Sequence, residues 1–222
     1  MVVMVSSKAS DHPLQDNTLI SIYAAAVSPT GWNDVVDQCA IEAGACGGAM
    51  LSYDALDRES YSVSGMGERI REVTLQDPKC LQEYFAEIVP LELAIHQHMH
   101  KHPARRIWHE NEIWPKGMEK ESRKHYDWLL RWFGTGPKLI ARLNDHPRIK
   151  DSFVLHFPEN HVVTNSSINA FQRQLPHLAK SAEMGVLYNA LYQRYSAVLA
   201  VLDKVDVGIC VLDGSGRVYC EQ

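Results

Sequence analysis

Apolar residues recur along the chain with helical spacing, then with alternating spacing. In residues 18–27, Leu19, Ile22, Tyr23, Ala26 and Val27 share one helical face, with Asn17 or Thr18 placed to cap its start. The Ser-Pro-Thr-Gly stretch 28–31 breaks that helix. Trp32, Val35, Val36, Cys39, Ala40 and Ala43 line a second one, which Gly44 ends. The period then falls to two: Ala49–Tyr53 and Ser60–Ser64 predict strands joined by a turn around Leu56–Arg58. Pro78 opens a helix striped by Leu81, Tyr84, Phe85 and Ile88. Pro90 sits in the first turn of its continuation, and Pro103 stops it. The tryptophan-rich stretch 107–117 predicts a loop or short strand. Met118–Phe133 predicts a helix carrying His125, Trp128, Leu129 and Trp132 on one face. Residues 136–144 and 148–158 predict an antiparallel strand pair, with turn residues between them.

The longest predicted element is a helix over Ser166–Val205, bent near Pro176. Within it Met184, Tyr188, Leu191, Tyr195, Val198, Leu202 and Val205 alternate at spacings of four and three, which is a heptad seam. At 1.5 Å per residue such a helix runs roughly 60 Å, too long for one small sheet to cover. The seam therefore predicts a helix that leaves the globular part and pairs with a second copy, giving a homodimer. An apolar strand, the turn Asp213-Gly214-Ser215-Gly216 and the start of another strand complete the chain as a hairpin. Four regions result: a loose N-terminus (1–16), a sensor-like domain (17–165), a linker or dimerisation helix (166–205) and a hairpin that opens a truncated PAS-like segment (206–222).

Composition narrows the function classes. The 222 residues are 45% hydrophobic and 22% charged, with a formal net charge of −5. That balance suits a folded domain with a real core and gives no overall footprint for nucleic acid. Five cysteines at scattered spacings, with no CxxC pair, predict neither a disulfide framework nor a thiolate zinc site, and fit reduced cytoplasmic thiols. The N-terminus lacks the pattern of a secretory signal, and no stretch approaches the roughly 20 apolar residues of a membrane span, so no membrane partner is expected.

Two clusters carry candidate chemistry. The run Leu93-Ala-Ile-His-Gln-His-Met-His-Lys-His102 holds His96, His98, His100 and His102, with His109 close behind. On a helix, Leu91, Ile95 and Met99 mark an apolar stripe that His98 and His102 join, while His96, His100 and Glu92 fall on the exposed side. Each i, i+4 pair could chelate a metal with two nitrogens, but the four cannot share one ion, and no HExxH accompanies them. The expected placement of His98 and His102 is the edge of the core. The second cluster is aromatic: Trp108, Trp114, Tyr126, Trp128, Trp132 and Phe133, with His125 or Tyr126 as polar handle, are the candidate walls of a small-molecule pocket. No nucleophile elbow, complete GxGxxG or phosphate loop is present, so neither an enzyme nor a cofactor is indicated.

Helix, helix, two strands, helices, two strands and a long exit helix describe an α/β (α+β) fold with a central antiparallel sheet of GAF/PAS type flanked by helices, a long coiled-coil-like helix and a terminal β-hairpin. Three segments make the resemblance more specific. Residues 19–40 (LISIYAAAVSPTGWNDVVDQCA) resemble the opening of bacterial transcription regulators of the LuxR type. Residues 122–134 (SRKHYDWLLRWFG) and the linker from Leu175 to Val218 resemble later parts of the same proteins. The resemblance implies a sensory region that binds a small molecule or partner and relays the signal to a C-terminal helix-turn-helix. No such segment follows Gln222 here, so DNA is expected as a partner only through that missing domain. Members that sense acyl-homoserine lactones carry a Trp, Tyr and Asp-Pro constellation; here Tyr84 has no Asp-Pro after it, which leaves the ligand open. Two other classes stay in view: a histidine-based metal-binding protein or metalloenzyme, and a ligand-free dimerisation module.

Overall fold

The computed structural model describes residues 16–28, 30–54, 61–102, 105–146, 148–204 and 210–221. The predicted turn at 56–58, most of the N-terminal region and Val205 lie outside them. Helices α1 (Asp16–Ala25) and α2 (Gly31–Ala43) precede the hairpin of β1 (Gly47–Asp54) and β2 (Tyr61–Met66). A helical run follows: α3 (Glu68–Gln76), α4 (Pro78–Glu83), a π-helical turn over Tyr84–Ile88, and α5 (Val89–His100). Then come β3 (Ile107–His109), α6 (Glu119–Phe133), β4 (Thr135–Arg142), β5 (Ile149–Pro158), α7 (Asn165–Leu202) and the hairpin β6 (Cys210–Leu212) with β7 (Val218–Glu221). The first five strands form one antiparallel sheet in the order β2-β1-β5-β4-β3. The fold class expected from the sequence is the one observed.

Register sorts the sheet into two faces. Met50, Leu139, Ala141, Phe153, Leu155 and Phe157 face α1, α2 and the first half of α7, forming the larger core. The other face carries Ala49, Leu51, Tyr53, Tyr61, Ile140 and Val154, packed against Ile95 and Met99 of α5 and against Trp108. Period-two alternation puts Lys138 opposite His156 and Arg142 opposite Ser152 on this second face, all four buried. A third cluster, Cys80, Ile88, Trp128, Leu129 and Phe133, ties α4 and the π turn to α6.

Local chemistry explains most boundaries. The α2 stripe is buried as predicted, and Gly44 ends the helix at φ 70°, the left-handed region glycine tolerates. Asp77 caps α4, its carboxylate accepting from Lys79 N at 2.9 Å. Gly48 is required by close approach: a Cβ there would lie 2.3 Å from the Val154 carbonyl oxygen. The π turn has a local cause. Pro90 offers no N–H and its ring crowds the carbonyl four residues back, so the helix widens just before it, and Val89 N bonds back to Tyr84 O.

Three expectations need correction. Thr18, Ile22, Ala25 and Ala26 are the buried residues of the first helical segment, whereas Tyr23 and Val27 are exposed, because the segment turns its small residues toward α2 and α7. Helix α3 was not foreseen; it is mostly polar and buries no residue fully, so its sequence carries only a weak stripe of Ile70 and Val73. On α4 and the π turn, Cys80 and Ile88 are buried while Leu81 and Phe85 keep exposed surface.

Helix α7 is continuous through Pro176, which faces solvent. Its buried residues, from Ser167 through Phe171, Leu178 and Ala182, stop there. Beyond Ala182, Met184, Tyr188, Leu191, Tyr195 and Val198 are exposed and Leu202 is half-buried.

Candidate ligand-binding cavity

A cavity of about 270 Å³ lies on the second face of the sheet. Its floor is Ala49 and Leu51 of β1, Tyr61, Val63 and Met66 of β2, and Val154 and His156 of β5. Helices cover it: Ile70 and Thr74 from α3, Cys80 and Leu81 from α4, Tyr84 and Phe85 from the π turn, and Trp128, Leu129 and Phe133 from α6. Glu92 of α5 closes one end. The walls are largely apolar, with the Tyr61 and Tyr84 hydroxyls gathered at Glu92, the usual make-up of a small-molecule site.

Glu92 anchors the polar end. Its Oε2 accepts from the Tyr84 hydroxyl at 2.8 Å and from the Tyr61 hydroxyl, and the two tyrosine oxygens are 3.0 Å apart. Its Oε1 stands 3.2 Å from Nε2 of the fully buried His125. Lys138 Nζ, on a residue only 2% exposed, approaches the same His125 nitrogen at 3.3 Å. Burial by itself pushes the Glu92 carboxyl up. The His125 hydrogen bond, the nearby Lys138 charge and the Tyr61 hydroxyl outweigh it and hold Glu92 well below the ordinary carboxylate range. Burial and Lys138 lower His125, so that imidazole is neutral and Glu92 is the charged partner. Burial raises both tyrosines, with Glu92 adding to it, so their protons stay on. His156 is pushed down to about 3, by burial first and Lys138 next. Cys80 is raised to about 11, mainly by burial, so it stays a thiol.

The aromatic candidates part company. Trp128 and Phe133 line the cavity. Trp132 donates to Glu83 at 2.9 Å on the outer side of α6. Trp114 donates to Glu110 at 3.0 Å and packs edge-on against His125, behind the polar end. Trp108 is buried in the second-face core away from the lining residues, flanked by His98, His102 and Arg105. Tyr126 is half-buried and is not among the lining residues.

The histidine run forms the helix expected, but its buried arc is turned. His96 is 1% exposed, its Nδ1 is 3.0 Å from Ser152 Oγ, and its ring packs on Tyr53. His100 is half-buried beside Tyr53. Both were expected to face solvent, as was Glu92. At about 100° per residue, Ile88, Val89, Glu92, Ile95, His96 and Met99 span one arc with Glu92 near its middle. Of the expected stripe, Met99 lies near the middle of that arc, Ile95 at its edge and Leu91 outside it. Glu92 and one nitrogen of His96 are buried with hydrogen-bond partners on other elements, while the His96 and His100 Nε2 atoms are buried without one. His98 and His102 lie at the rim against Trp108, and burial pushes His96 and His100 down to about 4. Among the described residues no group of three or more His, Cys, Asp or Glu side chains could hold a metal ion.

Sequence reasoning missed Tyr61, Glu92, Lys138 and His156. A faint signal existed for the last two, in the polar residues alternating with apolar ones on both central strands. Nothing local marked Glu92.

Comparison with solved structures places this fold beside the LBD domain of VqsR from Pseudomonas aeruginosa, with a TM-score of 0.56 over 78% of this chain and 96% of that one at 14% identity. The phycoerythrobilin-bound GAF domain of a cyanobacterial phytochrome is a looser likeness, with a TM-score of 0.44 at 12% identity over 80% of this chain and 99% of that one. No protein-family model and no curated protein matches the chain. No helix among the described residues is long and apolar enough to cross a membrane.

Proposed function

We propose that this chain is a sensory domain that binds a small, mainly apolar molecule between the sheet and α3, α4 and α6, without catalysing a reaction on it. The observation that carries the reading is the apolar cavity with a built polar end at Glu92, Tyr61 and Tyr84. The fold likeness to the VqsR LBD domain supports it, as do the three sequence segments similar to LuxR-type regulators. A protonated Cys80 and a neutral His156 supply no activated nucleophile, which favours binding over chemistry. In this reading the output runs along α7, whose exposed apolar seam pairs with a second copy and passes the signal toward a DNA-binding domain outside this chain.

The test uses Ala49, which is 7% exposed on the cavity floor. Ala49→Phe fills the void. The wild-type protein is expected to yield a bound small molecule by native mass spectrometry, or to answer a metabolite screen through Trp128 fluorescence and a rise in Tm. Ala49→Phe should abolish both while remaining folded. A filled-cavity variant that responds like the wild type sinks the proposal.

A further inference from the structure

We infer that the cavity selects ligands ending in a hydrogen-bond donor, a hydroxyl or an amine, and rejects carboxylates. The inference rests on the cavity reading above and goes further by assigning the chemistry of the ligand's polar end.

Tyr61 and Tyr84 both direct their hydroxyl hydrogens at Glu92 Oε2. Tyr84 can alternatively donate to the Tyr61 oxygen, which still keeps its proton inside the cluster. Thr74 spends its hydroxyl hydrogen on helix α3, 3.0 Å from the carbonyls of both Ile70 and Arg71. At the Glu92 end the groups left for a ligand are therefore acceptors, tyrosine lone pairs and the remaining lone pair of a carboxylate that takes three bonds; the donors of the lining, the Ser62 hydroxyl, the Cys80 thiol and the one N–H of neutral His156, are uncharged. Glu92 keeps 12% of its side chain exposed and is ionised. No cation lines the cavity among the described residues. Lys138 is the nearest buried cation, and His125 stands between it and Glu92. His156 is neutral and brings no positive charge.

A carboxylate ligand at this end would meet Glu92 as a like charge in a poorly solvated space, with no cation in the lining to offset it. A hydroxyl or ammonium would fill the free lone pairs, and an ammonium would also pair with the Glu92 charge. At roughly 30 Å³ per water-sized group, the cavity suits a molecule of about ten non-hydrogen atoms.

Three probes with the same eight-carbon body separate head-group preference from mere binding: 1-octanol, octylamine and octanoate. Titrations at pH 7.5 are read by Trp128 fluorescence and by Tm, on the wild type and on Ala49→Phe. The expected result is that octanol and octylamine bind at least 10-fold more tightly than octanoate, and that Ala49→Phe blocks all three. Glu92→Gln should weaken octylamine at least 10-fold and narrow the gap to octanoate. Since Glu92→Gln also disturbs a buried pair, the wild-type ranking alone decides if that variant fails to fold. Octanoate binding within 3-fold of the other two overturns the head-group inference and leaves the cavity reading standing. Absence of binding by any probe overturns both.

Discussion

Tyr84 donates a hydrogen bond to Glu92 at 2.8 Å, although the two residues are eight positions apart on one helical run. In a regular α-helix that spacing is an axial separation of about 12 Å. Eight positions at about 100° each would also leave the two about 80° apart around the axis; the π turn, which begins at Tyr84 and takes up one extra residue ahead of Pro90, brings them to nearly one face at the cavity. Pro90→Ala returns the missing N–H and should let the run close as a regular α-helix, turning Glu92 about 80° away from Tyr84. The expected signature is loss of probe binding, with the far-UV CD spectrum kept within a few per cent.

Glu92 and Lys138 compensate each other through His125. Glu92→Leu leaves Lys138 buried without its carboxylate, and should cost about 3–5 kcal/mol. Lys138→Met should also destabilise, because Glu92 loses its nearby positive charge. The double variant should lose well below the sum, with a coupling of about 1 kcal/mol or more. Urea unfolding of the four proteins measures this directly, and strict additivity would mean that the two charges do not sense each other.

Acid should weaken the fold well above the pH at which Glu92 titrates. His96 and His156 are buried as neutral rings with values near 4 and 3, against an ordinary 6.5. Below pH 6.5 the unfolded chain takes up protons that the folded chain refuses, so stability falls as pH falls. The slope is about 1.4 kcal/mol per pH unit for each ring, down to about pH 4. Glu92 adds its own loss only below the ordinary carboxylate value of 4.5. His96→Asn should flatten the dependence by one proton between pH 6.5 and 4.5. Urea midpoints at three pH values test this, and an unchanged slope would show that His96 is protonated in the fold.

Much of the fold was legible in the chain because its strongest elements agree with their own periodicity. The α2 stripe from Trp32 to Ala43, the paired strands β4 and β5 and the long α7 each bury or expose what their spacing announces. The cavity was less legible. Two of its aromatic walls, Trp128 and Phe133, came from a recognisable helix face. Glu92 and His96 look like solvent residues on α5, because hydropathy along one segment carries no information about Tyr61, His125 or Ser152 on others. The covering helix α3 left little trace, since it is mostly polar and only Ile70 and Val73 pack inward, neither of them fully buried.

The close approach of β1 to β5 gives a stability prediction independent of the cavity. Gly48→Ala would set a methyl carbon 2.3 Å from the Val154 carbonyl oxygen, a backbone atom in the centre of the sheet that no rotamer change can move. The expected cost is about 1–3 kcal/mol. Gly47→Ala, one residue earlier, meets nothing within 4 Å and should be nearly neutral. Thermal unfolding of the pair checks the register of the sheet, because a one-residue slip would exchange the two outcomes.

The exposed half of α7 yields the last prediction. Leu191 is 65% exposed and Val198 57% exposed, both on the heptad seam with Met184, Tyr188 and Tyr195. A helix with this much apolar surface in water gains free energy by pairing, and the 3–4 spacing fits a second copy of itself. Sedimentation velocity at micromolar concentration should report a dimer for the wild type. Leu191→Asp combined with Val198→Asp places two carboxylates on the seam of each copy, four in all, and should yield monomer. The domain itself should keep its near-UV CD and its probe binding, because no residue of α7 beyond Ala182 is fully buried. A wild type that stays monomeric at that concentration, or a double variant that still sediments as a dimer, would remove α7 as the pairing surface and with it the proposed route of the signal out of the cavity.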